Sequence, residues 1–121
     1  MIVLDRNYIL RYLLKDNQEM FDKSKKTIDN EYCLVLNEVL AEIVYVLLGV
    51  YKVPKDIISN ILSELIALEN LTMHENKSVL LHALEIYSSK NLDYVDCYLC
   101  ALKVNYTIRT FDKKLIKCLK H

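Results

Sequence analysis

The chain has 121 residues, 53% of them hydrophobic, enough for one domain with a real core and too few for two ordinary ones. Sixteen basic and sixteen acidic side chains leave no formal net charge, so composition points to neither nucleic acid nor an anionic membrane, and any polyanion site must be local. Glu42 and then Lys52 interrupt the longest apolar run, which excludes a membrane span, and no cationic segment followed by an apolar one opens the chain.

Residues 2 to 5 read as a short buried strand. A helix over Asn7 to Lys15 follows, with Ile9, Leu10, Leu13 and Leu14 at helical spacing, and then a more charged helix over Gln18 to Asp29. Glu31 to Leu36 is β-prone, and Asn37 is placed to cap an apolar helix ending near Tyr51. Pro54 suits the first turn of a helix over Lys55 to Leu68, whose Ile57, Ile58, Ile61, Leu62, Leu65 and Ile66 form one stripe. Leu71 to His74 is a third strand, Lys77 to Ser89 and Asp93 to Val104 are helices, Thr107 to Phe111 is a fourth strand, and Lys113 to Leu119 is a closing helix. One glycine and one proline leave little room for hairpins, and strands alternating with helices call for a parallel sheet covered on both faces. The expected fold is therefore α/β, one domain over residues 1–121, with any ligand crevice off the carboxyl ends of the strands.

Five carboxylates stand out because that fold brings their segments together. Asp5 ends the first strand, Asp112 follows the fourth, and Asp93 and Asp96 share one face at the start of a helix. Glu42 is the only charge within residues 39–51, a run apolar enough to predict burial on nearly every side. Clustered carboxylates repel one another and raise each other's pKa, so their grouping makes sense around a divalent cation, and oxygen-only donors select Mg²⁺ or Mn²⁺. Such a cation suits phosphodiester hydrolysis. Each aspartate has a plainer role open to it, because Asp5, Asp93 and Asp112 all precede helices and are natural N-caps. Glu38, on the face of Glu42, suits the positive end of its helix and a supporting role.

These residues carry a resemblance. Leu4-Asp5-Arg6-Asn7 resembles the opening Asp-x-Asn signature of PIN-domain ribonucleases, and Val39 to Leu47 followed by Tyr51-Lys-Val-Pro is similar to that family's Glu-bearing helix. Leu92-Asp93-Tyr-Val-Asp96-Cys-Tyr-Leu-Cys-Ala101 and Thr110-Phe111-Asp112-Lys113-Lys114-Leu115 resemble its later Asp motifs, all in the family's order. The small single-domain format is most similar to VapC-type toxins of toxin-antitoxin pairs. The resemblance implies a three-layer fold around a parallel sheet of about four strands. It also implies a Mg²⁺- or Mn²⁺-dependent endoribonuclease that cuts RNA by water attack, forms a homodimer and is silenced by a cognate antitoxin. By the same resemblance Asp5, Glu42 and Asp96 match the core metal-binding acids, Asp112 and Asp93 the more variable fourth position, and Asn7 a residue that orients Asp5. Where the family carries Thr or Ser, this chain has Arg6, which can grip a phosphate or pair with the acids and compete with the metal.

Three further readings complete the sequence. Lys113 and Lys114 are candidates for steering RNA phosphates, and Tyr94, beside the acids, for stacking on a base. Cys33, Cys97, Cys100 and Cys118 lie in apolar segments and read as packed thiols of a reduced, cytoplasmic protein rather than a zinc or redox site. The competing function is a catalytically impaired PIN-like module that binds RNA or a protein partner. A different Mg²⁺-dependent phosphohydrolase is disfavoured, because Gly49 alone cannot build a phosphate-cradling loop.

Overall fold

Three short strands form the centre of the computed structural model, which describes residues 1–121. β1 (Ile2–Val3), β2 (Cys33–Val35) and β3 (Leu71–Met73) pair in parallel in the order β1-β2-β3. Parallel neighbours need crossovers, and helix pairs supply them. α1 (Arg6–Leu14) and α2 (Gln18–Asn30) join β1 to β2, and α3 (Asn37–Gly49) and α4 (Lys55–Ile66) join β2 to β3. α5 (Lys77–Ser89), α6 (Tyr94–Ala101), a 3₁₀ turn over Leu102–Val104 and α7 (Lys113–Leu119) complete the chain. None of these helices is long and apolar enough to cross a membrane.

The register explains where the core lies. Cys33 stands opposite Leu71 and Val35 opposite Met73, and all four are buried on one sheet face. The other face carries Val3, Leu34 and Thr72, of which Val3 and Thr72 are exposed, so that face is covered less than a fully sandwiched parallel sheet would be. Below the packed face α5 lies between α4 and α6 and buries Val79, Leu80, Ala83, Leu84 and Tyr87. The buried Ser59 hydroxyl donates to the Leu84 carbonyl at 2.9 Å, which ties α4 to α5.

Three expectations are corrected here. Thr107 to Phe111 is not a strand: no backbone hydrogen bond of residues 107–111 joins a ladder, and Phe111 is fully exposed. Its alternating β-branched residues match a strand, but pairing partners, not propensity, make one. Asn37 is the first residue of α3 rather than its cap, a position taken by Leu36 without a side-chain bond. Finally, Cys100 and Cys118 are not thiols but a disulfide joining α6 to α7, while Cys33 and Cys97 remain buried and free. Burial pushes the Cys97 thiol up to about 11, which keeps it protonated and out of exchange with its neighbour.

Candidate active site

Asp5, Asp93 and Asp112 each sit where a strand or loop turns into a helix, because a carboxylate there satisfies free N–H groups, while Asp96 lies in the first turn of α6. Asp5 caps α1 by accepting from the Tyr8 N–H at 2.8 Å, Asp93 caps α6 through the Asp96 N–H at 2.9 Å, and Asp112 caps α7 through the Leu115 N–H at 2.9 Å. One oxygen of each is thus fixed by backbone. The main chain, not Asn7, orients Asp5: the Asn7 side chain is exposed and makes no hydrogen bond.

The acids fall into two groups. Asp93, Asp96 and Asp112 line one open cleft of about 420 Å³, with Tyr45, Leu48 and Lys55 among the other walls. Burial, and then the charges of Asp93 and Asp112, hold the Asp96 carboxyl above the usual carboxylate range. Asp5 and Glu42 lie outside that cleft. Glu42 is not buried as its sequence context suggested; α3 buries Leu40, Ile43, Val44 and Leu47, which puts Glu42 on the opposite, solvent side. There its Oε2 accepts from Arg6 Nη1 at 3.2 Å, the two side chains being 51% and 49% exposed. Arg6 therefore pairs with an acid, one of the two roles its position allowed. Glu38 is exposed in the first turn of α3.

No three of these acids converge closely enough to hold a metal ion among them. Their donor atoms are all oxygen, which suits Mg²⁺ or Mn²⁺, and Mg²⁺ is commonly held by one or two carboxylates with water and substrate phosphate completing its shell. The chemistry of the donor set fits such an ion through a pair of acids rather than a closed cage.

Tyr94 is corrected as a base-stacking candidate, being 3% exposed and packed edge-on against Tyr87. Lys114 does line the cleft, whereas Lys113 is exposed beside it. Two features escaped the sequence reading. Lys55 Nζ donates to the Lys90 and Leu92 carbonyls, both at 2.9 Å, and lies 4.4 Å from the Tyr87 ring centre, so it clamps the segment leading into Asp93. A lysine after a proline at a helix start carries no signal for that role. Secondly, Asn37 Nδ2 donates to the Tyr98 hydroxyl at 3.2 Å, which donates to Glu75 Oε2 at 2.7 Å, linking the start of α3, α6 and the end of β3.

No curated protein and no solved structure matches the chain. The family model described as PIN domain matches residues 2–118. With that match running over nearly the whole sequence, and with a parallel three-stranded sheet flanked by helices of which α1, α6 and α7 are capped by acids the motifs singled out, the chain belongs to the PIN-domain family, whose members are generally nucleases.

Proposed function

We propose that this protein is a metal-dependent endoribonuclease of the VapC type, the toxin of a toxin-antitoxin pair. The observation that carries the reading is the convergence of Asp93, Asp96 and Asp112 on one cleft, with the Asp96 carboxyl raised by the other two and by burial. Like charges brought onto one cleft cost stability even with Lys55 and Lys114 on its walls, and such a cost is typically retained where it serves chemistry.

A pair of the cleft's acids, Asp96 with Asp93 or Asp112, would hold the Mg²⁺ or Mn²⁺ ion, with water and substrate phosphate completing its shell; Glu42, which also matches the family pattern, is paired with Arg6. When bound, the cation supplies Lewis-acid charge that lowers the cost of negative charge developing on the phosphodiester. The chain's own residues do the rest. Asp93 and Asp112 each have one oxygen locked by a backbone N–H, which fixes the direction of the other. Asp96, its carboxylate on the same cleft, is placed to take a proton from the attacking water as the phosphorus–oxygen bond to the leaving strand breaks. Lys55 anchors the approach to Asp93 and so keeps the cleft's wall in place.

Partners follow from the same reading: RNA as substrate, an antitoxin, and a second copy of the chain. α3 and the two residues after it present Tyr45, Leu48, Val50 and Tyr51 to solvent, apolar surface that supports a homodimer, and sedimentation at micromolar concentration tests it. The second reading, an impaired module that binds RNA or protein, is favoured by the Arg6–Glu42 pair. An RNA cleavage assay with and without Mg²⁺ or Mn²⁺, run beside Asp96→Asn, separates the two. Cutting that needs metal and Asp96 establishes the nuclease; none by folded protein supplied with metal favours the module. Growth arrest on expression, abolished by Asp96→Asn, tests the toxin role.

A further inference from the structure

Beside the acidic cleft lies a second concavity of about 250 Å³, lined by Lys90, Asn91, Leu92, Lys114, Lys117 and Cys118. The aliphatic stems of three lysines line it, which brings three exposed ammonium groups to its neighbourhood, and no carboxylate lines it. None of the three ammonium groups has an acceptor elsewhere in the protein: the ion pairs are Arg6–Glu42, Arg11–Asp16 and Lys25–Asp29, and no hydrogen bond involves the side chains of Lys90, Lys114 or Lys117. Lys114 also lines the neighbouring acidic cleft, so Lys90 and Lys117 are the cations of this group with no acid on their wall, and an anion placed among the three would relieve their mutual repulsion.

The pocket is built on fixed elements. Lys114 and Lys117 are three apart on α7 and so share a face, and the Cys100–Cys118 disulfide fastens that helix to α6. Lys90 ends α5, and its carbonyl is held by Lys55, which also holds Leu92. Asn91, Leu92 and Lys114 line both concavities, so the lysine pocket and the acidic cleft are neighbours sharing one clamped wall.

We infer that the lysine pocket binds a backbone phosphate of the single strand whose neighbouring phosphodiester lies over Asp93, Asp96 and Asp112. The inference rests on the nuclease reading for the role of the cleft, but the pocket's own chemistry is recognition of a phosphodiester. Compact, hydrated ammonium groups on flexible stems suit a phosphate without reading sequence. An acidic cleft alone would repel the strand it cuts, and the lysines offset that repulsion at the point of entry.

The test is fluorescence anisotropy of labelled single-stranded RNA, with single-stranded DNA of the same sequence as a second arm. It uses the full chain carrying Asp96→Asn, in EDTA, so that cutting does not intervene. Lys90→Gln, Lys114→Gln and Lys117→Gln are combined and compared with an equal charge loss far from the cleft, Lys23→Gln, Lys25→Gln and Lys26→Gln on α2. Each phosphate neutralised on a single strand contributes about 0.7 to the salt slope, so the pocket variant, which loses one phosphate site, should have a slope shallower by about 0.7, with affinity down about tenfold. The α2 variant should keep the parent slope. Equal loss on RNA and DNA assigns the pocket to the shared phosphate; loss confined to RNA overturns that assignment in favour of a ribose contact. Parent and pocket variant with the same slope and affinity, or a parent that binds neither strand, overturn the inference. Lys117→Gln alone, expected to weaken binding and lower the slope in the same direction by less than about 0.7, serves if the triple variant does not fold. Binding lost in the pocket variant while the unsubstituted protein fails to cut RNA with Mn²⁺ would leave the pocket standing and remove the nuclease reading.

Discussion

The two acidic regions of this molecule are made of the same residue types and are in opposite electrostatic states. At the end of β1, Glu42 is half exposed and paired with Arg6. At the α6–α7 corner, Asp93, Asp96 and Asp112 share a cleft, and burial first, then the charges of Asp93 and Asp112, raises the proton affinity of Asp96. A neutralised acid is an ordinary surface feature, and exposed pairs of this kind contribute little to stability. A group of unpaired acids is a cost looking for a compensating ligand. The difference is why the chemistry proposed above is assigned to the α6–α7 corner, and it leaves Arg6 as the partner that neutralises Glu42.

Asp96→Asn should break the comparison most severely. Loss of the group suited to act as base is expected to reduce cleavage by about 10²–10⁴-fold. The fold should not suffer, since one of three repelling charges is gone and the Asp93 cap is made by the residue's backbone N–H. Thermal melting is expected to show equal or slightly higher stability, up to about 1 kcal/mol. Unchanged cleavage would remove Asp96 from the mechanism, and a large drop in stability would show that the corner is held together by that carboxylate rather than burdened by it.

The next largest effect separates the regions mechanically. The α6–α7 corner is fastened by a disulfide spanning 18 positions, whereas β1 is held by strand pairing alone. Replacing Cys100 and Cys118 together by serine is expected to cost about 3 kcal/mol in denaturant titration, the value for a loop of this size. Cys33→Ser tests a different quantity, loss of a buried thiol's packing, and should not respond to added reductant. If reductant leaves the parent's unfolding midpoint unchanged, the corner stands on packing without its covalent tie.

The helices and the three paired strands were legible in the sequence because their signals are local: the stripe of Ile58, Leu62, Leu65 and Ile66 on α4, and the caps at Asp5, Asp93 and Asp112. What was not legible depends on partners. Thr107 to Phe111 has a strand's composition but no pairing, and spacing alone leaves three ways to pair four cysteines, with no means of choosing between thiols and the Cys100–Cys118 bond. Glu42 was misread as buried because residues 39–51 are apolar on more than one side, and an all-round apolar helix hides which face meets the core until its neighbours are known. Lys55 and the Tyr98 network escaped because they join residues far apart in sequence through carbonyls and hydroxyls that leave no pattern.

Arg6→Thr sharpens the comparison by making the two regions alike. Without the guanidinium, Glu42 carries an uncompensated charge, and Mn²⁺ affinity is expected to rise by about tenfold, the equivalent of about 1.4 kcal/mol. Isothermal titration with Mn²⁺ reads this without relying on turnover. Stability should change by less than about 1 kcal/mol because the pair is exposed. Cleavage that appears only in the Arg6→Thr variant would mean that the parent chain is the impaired module, and identical Mn²⁺ binding would mean that Arg6 does not govern the acids at all.

The smallest effect concerns what spans the two regions. Glu75 accepts from the Asn76 N–H at 2.8 Å and from the Tyr98 hydroxyl at 2.7 Å, and these bonds, the backbone one first, hold its carboxyl below the usual range. Burial, and then Glu75 itself, push the Tyr98 hydroxyl up to about 12, so it remains a donor throughout the working pH range. Because the folded carboxyl binds its proton less readily than the unfolded one, its contribution is complete above the ordinary glutamate value and is lost as pH falls through the folded value. The parent should therefore lose stability across that acid window, and Glu75→Gln should flatten this part of the pH profile at a cost below about 1 kcal/mol at neutral pH, the group being partly exposed. Tyr98→Phe keeps the Asn76 bond but cuts the link from α6 to Asn37 at the start of α3, the helix that carries Glu42. If the network fixes how α3 and α6 face each other, Tyr98→Phe should weaken Mn²⁺ binding or cleavage more than Glu75→Gln does at equal stability. Equal effects would make it a simple tether, and the relation between the two acidic regions would then rest on the apolar packing of α3 against α6.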